Sequence, residues 1–311
     1  EINKFHSTFI DSIQRYVHKG RIHSEINQLR SDQGGTVSGR LSYSNPNLQQ
    51  IPARNKEFGD KIRSLFLPEE GKQWGSFDYS QQEPRLVAHY AASVNDHFEG
   101  AAEFIEAYKN ESADFHQIVA DMAGITRTQA KTINLGLFYG MGKAKLGKEL
   151  GINKDRAESL LRQYGERVPF VKRLATEVTN SASKYGFIRT IGGRRCRFDM
   201  WEPATFGMNK AMQYEEAKAI YGNNIRRAFT YKALNRLIQG SAADQTKQAM
   251  INCYKEGFKP LLQIHDELCF SINQESDVQK VKTIMENAID TLKVPSKVDI
   301  ALGKSWGEAK E

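Results

Sequence analysis

The chain has 311 residues, enough for about two ordinary domains, and this length excludes a disulfide-stapled miniprotein. Its 44 lysines and arginines exceed its 37 aspartates and glutamates by a net charge of +7, which fits nucleic acid, phosphate ligands or plain solubility without choosing among them. The 3 cysteines form no CxxC pair, which argues against a cysteine-based zinc site and favours a reducing, intracellular setting, and no apolar run approaches the roughly 18 residues of a membrane span.

The first third of the chain predicts polar loops followed by short strands. Residues 20–60 are rich in Gly, Ser, Asn and Pro and predict extended or looped surface. Two apolar segments, 62–67 and 74–77, predict strands, and the second of them ends at Asp78.

From Glu83 onward the pattern becomes helical and then returns to strands. A hairpin is predicted at 186–193, and helical pattern returns over 205–254. The last part predicts a strand, a tight turn and a strand over 259–272, a helix at 278–292 and a strand at 297–302. We therefore expect an α+β chain in which a helical insertion separates two parts of one antiparallel sheet.

Two aspartates stand where predicted strands meet turns. Asp78 follows the apolar segment 74–77, and Asp266 lies in the turn of the late hairpin. Two fixed carboxylates are what a site for two hard cations about 3.5–4 Å apart needs. Each aspartate alone is equally well explained as a turn or helix cap.

A stripe of four side chains lies between the two aspartates in the sequence. Arg127, Lys131, Leu135 and Tyr139 recur every four residues and would share one face of a helix over about 18 Å. Two cations at one end and apolar groups at the other suit a polyphosphate joined to a base and a sugar. An amphipathic helix with a solvated basic end explains the same pattern.

A neighbouring glycine motif is rejected as a phosphate-binding loop. Residues 142–148 have the GxxxxGK spacing, but Glu149 stands where a serine or threonine would coordinate magnesium. The segment also follows a helical pattern instead of a strand, so we expect no P-loop here.

Six motifs occur in order along nearly the whole chain: Ser38–Ser42 (SGRLS), Asn45–Pro52 (NPNLQQIP), Asp78–Arg85 (DYSQQEPR), the stripe from Arg127 to Gly140, Gln239–Asp244 (QGSAAD) and Gln263–Leu268 (QIHDEL). Together they resemble the polymerase domain of family A DNA polymerases, the bacterial DNA polymerase I type.

The resemblance implies a palm made of an antiparallel sheet, with the mostly helical fingers inserted into it. We expect residues 1–84 to form the first part of the palm, with the end of a thumb connection at the N-terminus. Residues 85–235 would form the fingers, and 236–311 the second part of the palm with the His-Asp-Glu hairpin. Gln82 and Pro84 replace apolar residues usual in the bacterial motif, and the stretch 199–232 is longer than in the bacterial enzymes. These features favour a phage or organellar branch, with phage preferred.

The resemblance also implies a DNA-directed DNA polymerase that adds dNTPs to a primer 3′-hydroxyl and releases pyrophosphate. Asp78 and Asp266 would hold two Mg²⁺ ions, for which Mn²⁺ is a substitute, with the Tyr79 carbonyl as a further ligand and Glu267 as a less essential carboxylate. Lys131 would also protonate the pyrophosphate. The nucleotide-binding set is implied as Arg54, Glu83, His116, Arg127, Lys131, Leu135 and Tyr139.

The sugar and the DNA would be recognised by further residues of the resemblance. Glu83 beside Tyr139 would exclude a 2′-hydroxyl, whereas Leu135 replaces the Phe or Tyr usual at its position. Contacts to the primer–template are implied for Arg40, Asn47, Gln49, Asn235, Gln239 and His265.

Two other functions stay open. In the family that the chain resembles, a thumb precedes the palm, and we expect none within residues 1–311. We therefore weigh a non-catalytic nucleic-acid-binding fragment of a larger polymerase, or a chain whose grip on DNA comes from an accessory subunit. A two-metal nuclease would need a denser carboxylate cluster and has no use for the basic stripe. The expected cellular location is the cytoplasm of a bacterial or phage-infected cell, with an organelle as the alternative. No membrane partner is expected.

Overall fold

The structure, a computed structural model, describes residues 6–32, 34–52, 58–93, 101–109, 114–138, 143–205 and 210–309. The chain divides into two compact units. The first unit comprises Glu1–Gln82, Ala242–Thr291 and Ser296–Glu311, and the second comprises Glu83–Ser241 and Leu292–Pro295. The chain thus leaves the first unit and returns to it. That these units are palm and fingers stays a prediction.

The described residues form twelve strands. They are β1 (Val17–His18), β2 (Arg21–Ile22), β3 (Glu25–Asn27), β4 (Ser42–Ser44), β5 (Gln73–Tyr79), β6 (Phe187–Arg189), β7 (Arg195–Arg197), β8 (Trp201–Pro203), β9 (Ile225–Arg227), β10 (Pro260–Ile264), β11 (Glu267–Ile272) and β12 (Val298–Gly303).

The same residues form twelve α-helices. They are α1 (Ser12–Gln14), α2 (Gly59–Arg63), α3 (Gln82–Ser93), α4 (Ala101–Lys109), α5 (Phe115–Ala123), α6 (Arg127–Phe138), α7 (Lys143–Leu150), α8 (Lys154–Arg167), α9 (Pro169–Tyr185), α10 (Tyr214–Tyr221), α11 (Ala233–Lys255) and α12 (Glu275–Glu286). Short π or 3₁₀ segments lie at His6–Asp11, Leu48–Gln50 and Thr230–Lys232.

A four-stranded antiparallel sheet organises the first unit. Its strand order is β10-β11-β5-β12, so the two strands flanking β5 come from the far end of the chain. The run Trp74 to Phe77 in β5 is buried, as an interior strand covered on both faces requires. The sequence distance between β5 and its partners confirms an α+β fold with an antiparallel sheet interrupted by a helical segment.

Both faces of this sheet are covered by apolar side chains. On one face Phe77 and Phe270 lie against Val281 and Met285 of α12, all of them almost completely buried. On the other face Trp74 stacks on Trp306, with 6.1 Å between their ring centroids. Burial of each such side chain stabilises the fold by about 1.5–3 kcal/mol, so the sheet is a rigid support for residues at its ends.

The second unit is mainly helical. Helix α5 is capped by the Asp114 side chain and ends at Gly124, which has a φ of 64°. The helical path is interrupted between α8 and α9, because Pro169 occupies the first position of the new helix. Helix α9 ends at Gly186, also left-handed, from which hairpin β6–β7 begins. Among the described residues, no helix combines the length and the apolar character needed to cross a membrane.

Two predicted elements are wrong in type. Segment 62–67, predicted as a strand, begins inside helix α2, because only Ile62 is a core residue while Leu65 and Leu67 are 70% and 66% exposed. The helical pattern over 205–254 is interrupted by β9, which pairs with β8. That pairing joins residues more than twenty positions apart, which a local periodicity does not reveal.

Candidate active site

Asp78 lies at the end of the central strand of the first unit. The four residues from Trp74 to Phe77 are buried, whereas Asp78 is exposed. It stands directly opposite Glu267 on β11 and Asp299 on β12, so all three carboxylates share one face of the sheet. Cα atoms of such cross-strand pairs lie about 4.5–5.5 Å apart. This end of the sheet therefore concentrates negative charge. Lys297 partly offsets it, because its Nζ lies 3.8 Å from Asp299 Oδ1.

Asp266 is held by the turn that joins β10 to β11. His265 adopts a φ of 53°, a left-handed conformation that costs a non-glycine residue about 1–2 kcal/mol. Two hydrogen bonds fix this turn: Gln263 Nε2 donates to the His265 carbonyl at 2.7 Å, and the Tyr79 amide donates to the Asp266 carbonyl at 3.4 Å. The second bond ties the turn to β5 one residue after Asp78, so the structure brings the two predicted metal ligands to the same end of the sheet.

The environment of Asp266 opposes its ionisation. Burial raises the pKa of this carboxyl above its ordinary value, and the neighbouring Glu267 acts in the same direction. Arg40 and His265 lower the pKa but do not outweigh burial. A bound cation would favour the charged form of Asp266. Metal binding would therefore stabilise this carboxylate more than it would stabilise a carboxylate that water already solvates.

Tyr79 turns its side chain away from this edge. The ring is buried in the core, and its hydroxyl donates to the Met285 carbonyl at 2.7 Å. Burial raises the pKa of Tyr79 well above its ordinary value, so the phenol stays neutral. Its backbone, in contrast, runs beside Asp78 and Asp266, which agrees with the carbonyl, not the phenol, as the predicted ligand.

These residues fit a Mg²⁺ ion whose coordination shell is completed by substrate and water. Asp78, Asp266 and the Tyr79 carbonyl offer hard oxygen ligands only. Within the described ranges, no group of three or more His, Cys, Asp or Glu side chains is arranged to hold a metal ion. Mg²⁺ is commonly bound by one or two carboxylates together with substrate phosphates and water, which is the arrangement that this edge can supply.

A polar chain connects the turn to the early motif. Asn47 caps a short 3₁₀ segment by accepting a hydrogen bond from the Gln49 amide at 3.1 Å. Gln49 Nε2 in turn donates to Gln263 Oε1 at 3.3 Å. Gln263, only 6% exposed, thus joins Gln49 to the His265 carbonyl. The Arg40 backbone is held by Ser38 and Thr36. The structure therefore gathers Arg40, Asn47, Gln49 and His265, four of the six predicted DNA contacts, in one unit.

In the second unit, Arg127 begins helix α6 and forms an ion pair. Its Nε donates to Asp114 Oδ2 at 2.8 Å. Partial burial would raise the pKa of Asp114, but this pair and the amides of His116 and Gln117 outweigh burial and lower it. Arg127 is half exposed, so it can still face a ligand. No pattern in the sequence indicated Asp114 as the partner of Arg127.

His116 lies in a buried hydrogen-bond chain. Asn134 Oδ1 accepts from the Tyr164 hydroxyl, which leaves Asn134 Nδ2 to donate to His116 Nδ1 at 3.1 Å. Burial lowers the pKa of His116 to about 4, with Arg127 and Lys131 acting in the same direction against Asp114. The ring is therefore neutral near pH 7, and this network assigns its proton to Nε2.

The remaining predicted nucleotide contacts are only partly described. Lys131 is exposed on α6, while Ala130 and Ile133 on the same helix are buried. Leu135 belongs to this helix, but its side chain lies outside the described residues, as do Arg54 and Tyr139. Glu83 is half-buried in the first turn of α3. Asn235 and Gln239, the other predicted DNA contacts, lie four residues apart on α11 and are partly exposed.

The sequence did not indicate a buried network of side-chain amides that begins at Gln82, four residues after Asp78. Gln82, 4% exposed, donates through Nε2 to Gln245 Oε1 at 3.2 Å and to Thr246 Oγ1 at 3.1 Å. Gln245 then donates to Ser296 Oγ at 2.6 Å. The only signal was that Gln82 replaces an apolar residue of the bacterial motif. Asp299 was also missed, because it falls within the predicted strand 297–302 and not in a turn that follows a strand.

Comparisons with known proteins agree with this geometry. A family model described as DNA polymerase family A matches residues 1–308. A DNA-directed DNA polymerase of Pseudomonas phage M6 is 37% identical, over 99% of this chain and 50% of that protein. The thermostable DNA polymerase I of Thermus aquaticus is 32% identical, over 100% of this chain and 36% of that protein.

A solved structure is similar as well. The "POL domain of Pol1 from M. smegmatis complex with DNA primer-template and dNTP" has a TM-score of 0.76 and 34% identity, over 96% of this chain and 50% of that chain. This chain spans half or less of the length of these relatives. Because the family model covers nearly every residue, the chain belongs to DNA polymerase family A.

Proposed function

We propose that this chain is a template-directed DNA polymerase, which adds dNTPs to a primer 3′-hydroxyl and releases pyrophosphate. The observation that carries the proposal is the register of β5 with the β10–β11 hairpin, which brings Asp78 and Asp266 to one end of a sheet. Membership of family A supports it, and so does the similar structure with bound primer–template and dNTP. The phage and bacterial relatives favour work in the cytoplasm of a bacterial or phage-infected cell.

Two Mg²⁺ ions are the proposed cofactors, with Mn²⁺ as a substitute, held by Asp78, Asp266 and the Tyr79 carbonyl. When bound there, they would lower the pKa of the primer 3′-hydroxyl and neutralise charge on the leaving pyrophosphate. Glu267 and Asp299 add negative charge beside Asp78 and so would strengthen cation binding without being required as ligands.

Helix α6 and its neighbours would bind the nucleotide. Arg127 and Lys131 supply positive charge for the triphosphate, and Lys131 would give a proton to the leaving pyrophosphate. His116, neutral with a proton on Nε2, would donate a hydrogen bond to the triphosphate. Arg54, Leu135 and Tyr139 complete the proposed set.

The sugar and the DNA would meet polar residues. Glu83 excludes a 2′-hydroxyl in this proposal. Primer–template DNA would be contacted by Arg40, Asn47, Gln49, Asn235, Gln239 and His265, whose mixed donors and acceptors suit a partner recognised without regard to base sequence.

Primer extension tests the proposal. The chain is incubated with labelled primer–template, Mg²⁺ and one dNTP at a time, and growth by the complementary nucleotide alone is expected. Asp78→Asn and Asp266→Asn keep the side-chain size, and each should reduce extension at least 100-fold while circular dichroism stays unchanged. Retention of labelled DNA without growth would instead indicate a binding module, and shortening of the primer a nuclease. Substantial extension by either variant would contradict the ligand assignment.

A further inference from the structure

A chain of hydrogen bonds inside the second unit ends at His116. It begins at the Tyr164 hydroxyl on α8, passes through the Asn134 amide on α6 and reaches His116 Nδ1 in the first turn of α5. Tyr164 is 1% exposed and Asn134 is completely buried, whereas His116 is only partly buried. Three helices thus hold a polar chain whose last member reaches the surface.

The direction of this chain is set at its buried end. Burial raises the pKa of Tyr164, so the phenol keeps its proton. Among the described residues, Asn134 Oδ1 is the one acceptor for that proton, and a buried hydroxyl without an acceptor destabilises a fold. The amide is therefore held with Oδ1 towards Tyr164 and Nδ2 towards His116.

The orientation of Asn134 determines which nitrogen of His116 carries the proton. An amide NH₂ group only donates, so His116 Nδ1 must accept, and the neutral ring then carries its proton on Nε2. In the part of the chain that the structure describes, His116 Nε2 has no hydrogen-bond partner. One N–H donor on a partly exposed ring is thus left for a ligand.

The charged neighbours of His116 come from two helices and oppose each other. Asp114, the N-cap of α5, accepts a hydrogen bond from the His116 amide at 2.9 Å and favours a charged ring. Arg127 and Lys131 of α6 disfavour it, and α8 contributes the neutral Tyr164. Together with burial, the two cations lower the pKa of His116 to about 4, so the ring is uncharged between pH 6 and 8.

We propose that Asn134 and Tyr164 are positioning residues of the nucleotide site, which act through His116 and fix it as a neutral Nε2–H donor. This inference rests on the proposed function for the identity of the ligand, a nucleoside triphosphate. Arg127 and Lys131 supply charge to that ligand, whereas His116 supplies a directed hydrogen bond. A donor that is neutral throughout adds no pH dependence to dNTP binding between pH 6 and 8.

The ring nitrogens of His116 test the positioning without any ligand. Nitrogen-15 NMR of the full chain at pH 7 distinguishes protonated from unprotonated ring nitrogens, and His116→Gln identifies the signals. The native chain should show an unprotonated Nδ1. Asn134→Asp keeps the side-chain size but only accepts, and the pKa of an aspartate is ordinarily below that of a histidine, so Nδ1 should become protonated. A protonated Nδ1 in the native chain, or an unprotonated one in this variant, overturns the inference.

A second variant introduces no charge and so covers the case in which Asn134→Asp does not fold. Tyr164→Phe removes the hydroxyl that orients the amide, so part of the His116 population should gain a proton on Nδ1. The matched control Tyr185→Phe removes a hydroxyl that is 58% exposed in the same unit, and it should leave both nitrogen signals unchanged. An unchanged Nδ1 in Tyr164→Phe, or a protonated Nδ1 in the control, overturns the role of Tyr164.

Binding of a dNTP in the presence of Mg²⁺ tests the consequence for the ligand. Calorimetric Kd values are compared at pH 6 and pH 8, and division by the native value removes the titration of the nucleotide itself. At pH 8 the Asn134→Asp ring is neutral with its proton on Nδ1, so it lacks the Nε2 donor, and Kd should be at least fivefold above native. At pH 6 the ring is charged and both nitrogens donate, so this ratio should fall at least threefold.

His116→Gln separates positioning from a general structural effect. In that background, Asn134→Asp should leave the ratio of Kd values independent of pH, because the group that titrates is gone. A pH-independent ratio for Asn134→Asp alone, or a pH-dependent ratio that persists in the double variant, overturns the inference. A native chain with the expected nitrogen signals that binds no dNTP contradicts the proposed function and leaves the positioning of His116 supported.

Discussion

The amide network at Gln82 offers a quantitative test of how the first unit is held together. Gln82→Leu removes the donor for Gln245 Oε1 and Thr246 Oγ1, and both of these residues are at most 3% exposed. A buried polar group left without its partner costs about 1–3 kcal/mol, so this change should lower the free energy of unfolding by about 2–4 kcal/mol. Gln245→Leu should cost less, about 1–3 kcal/mol, because Ser296 loses its donor while Gln82 Nε2 keeps Thr246 Oγ1 and the Ala242 carbonyl as acceptors.

The double variant Gln82→Leu/Gln245→Leu distinguishes a network from two independent sites. It replaces facing amides by facing apolar groups, and its loss should be smaller than the sum of the single losses by about 1–3 kcal/mol. Urea unfolding is followed by tryptophan fluorescence, since Trp74 and Trp306 are buried in the same unit. Additive losses would refute the network.

The remaining predictions concern nucleotide selection and pH. Glu83→Ala should raise the ratio of ribonucleotide to deoxynucleotide incorporation at least tenfold in single-nucleotide extension, and an unchanged ratio would remove Glu83 as the gate. Leu135→Tyr should change the ratio of dideoxynucleotide to dNTP incorporation, and identical ratios would exclude Leu135 as a determinant. The lowered pKa of His116, about 4, means that the unfolded chain binds a proton more readily below pH 6.5, so the native chain loses stability between pH 6.5 and 4. His116→Gln should lose less over that interval, by about 1–2 kcal/mol in urea unfolding, because solvent screens the partly exposed imidazole, and an unchanged pH dependence would contradict the partial burial of this ring.

The antiparallel core of this fold could be predicted, whereas its register could not. The strand at 74–77 and the strands around Asp266 follow from apolar runs that end in turn residues, and the structure contains β5, β10 and β11 at these places. Nothing local indicates that β5 pairs with β12 as well as with β11. The interruption of the predicted 205–254 helix by β9 has the same origin, because pairing with β8 outweighs local helical periodicity.

The candidate site was predictable where residues stand at the ends of elements and unpredictable where partners come from elsewhere. Asp78 follows the predicted strand 74–77 and Asp266 lies in a predicted turn, and the order of the motifs made them a pair. The ion pair between Asp114 and Arg127 joins residues thirteen positions apart. In the sequence, Asp114 indicates only a helix N-cap and not a partner for a distant arginine. Gln82 looked like a departure from a motif, and only its contact with Gln245 shows that a second polar residue compensates for it.

The balance of charge at the sheet edge explains why the site would need its substrate. Asp78 stands between Glu267 and Asp299, and burial already raises the pKa of Asp266, so a metal ion relieves both repulsion and unfavourable desolvation. Yet no third side chain among the described residues completes a cage, which leaves coordination positions for phosphate oxygens and water. In the proposed mechanism such a site would bind metal weakly alone and strongly with nucleotide. Metal binding and triphosphate binding would then be coupled, each increasing the affinity for the other by the same factor.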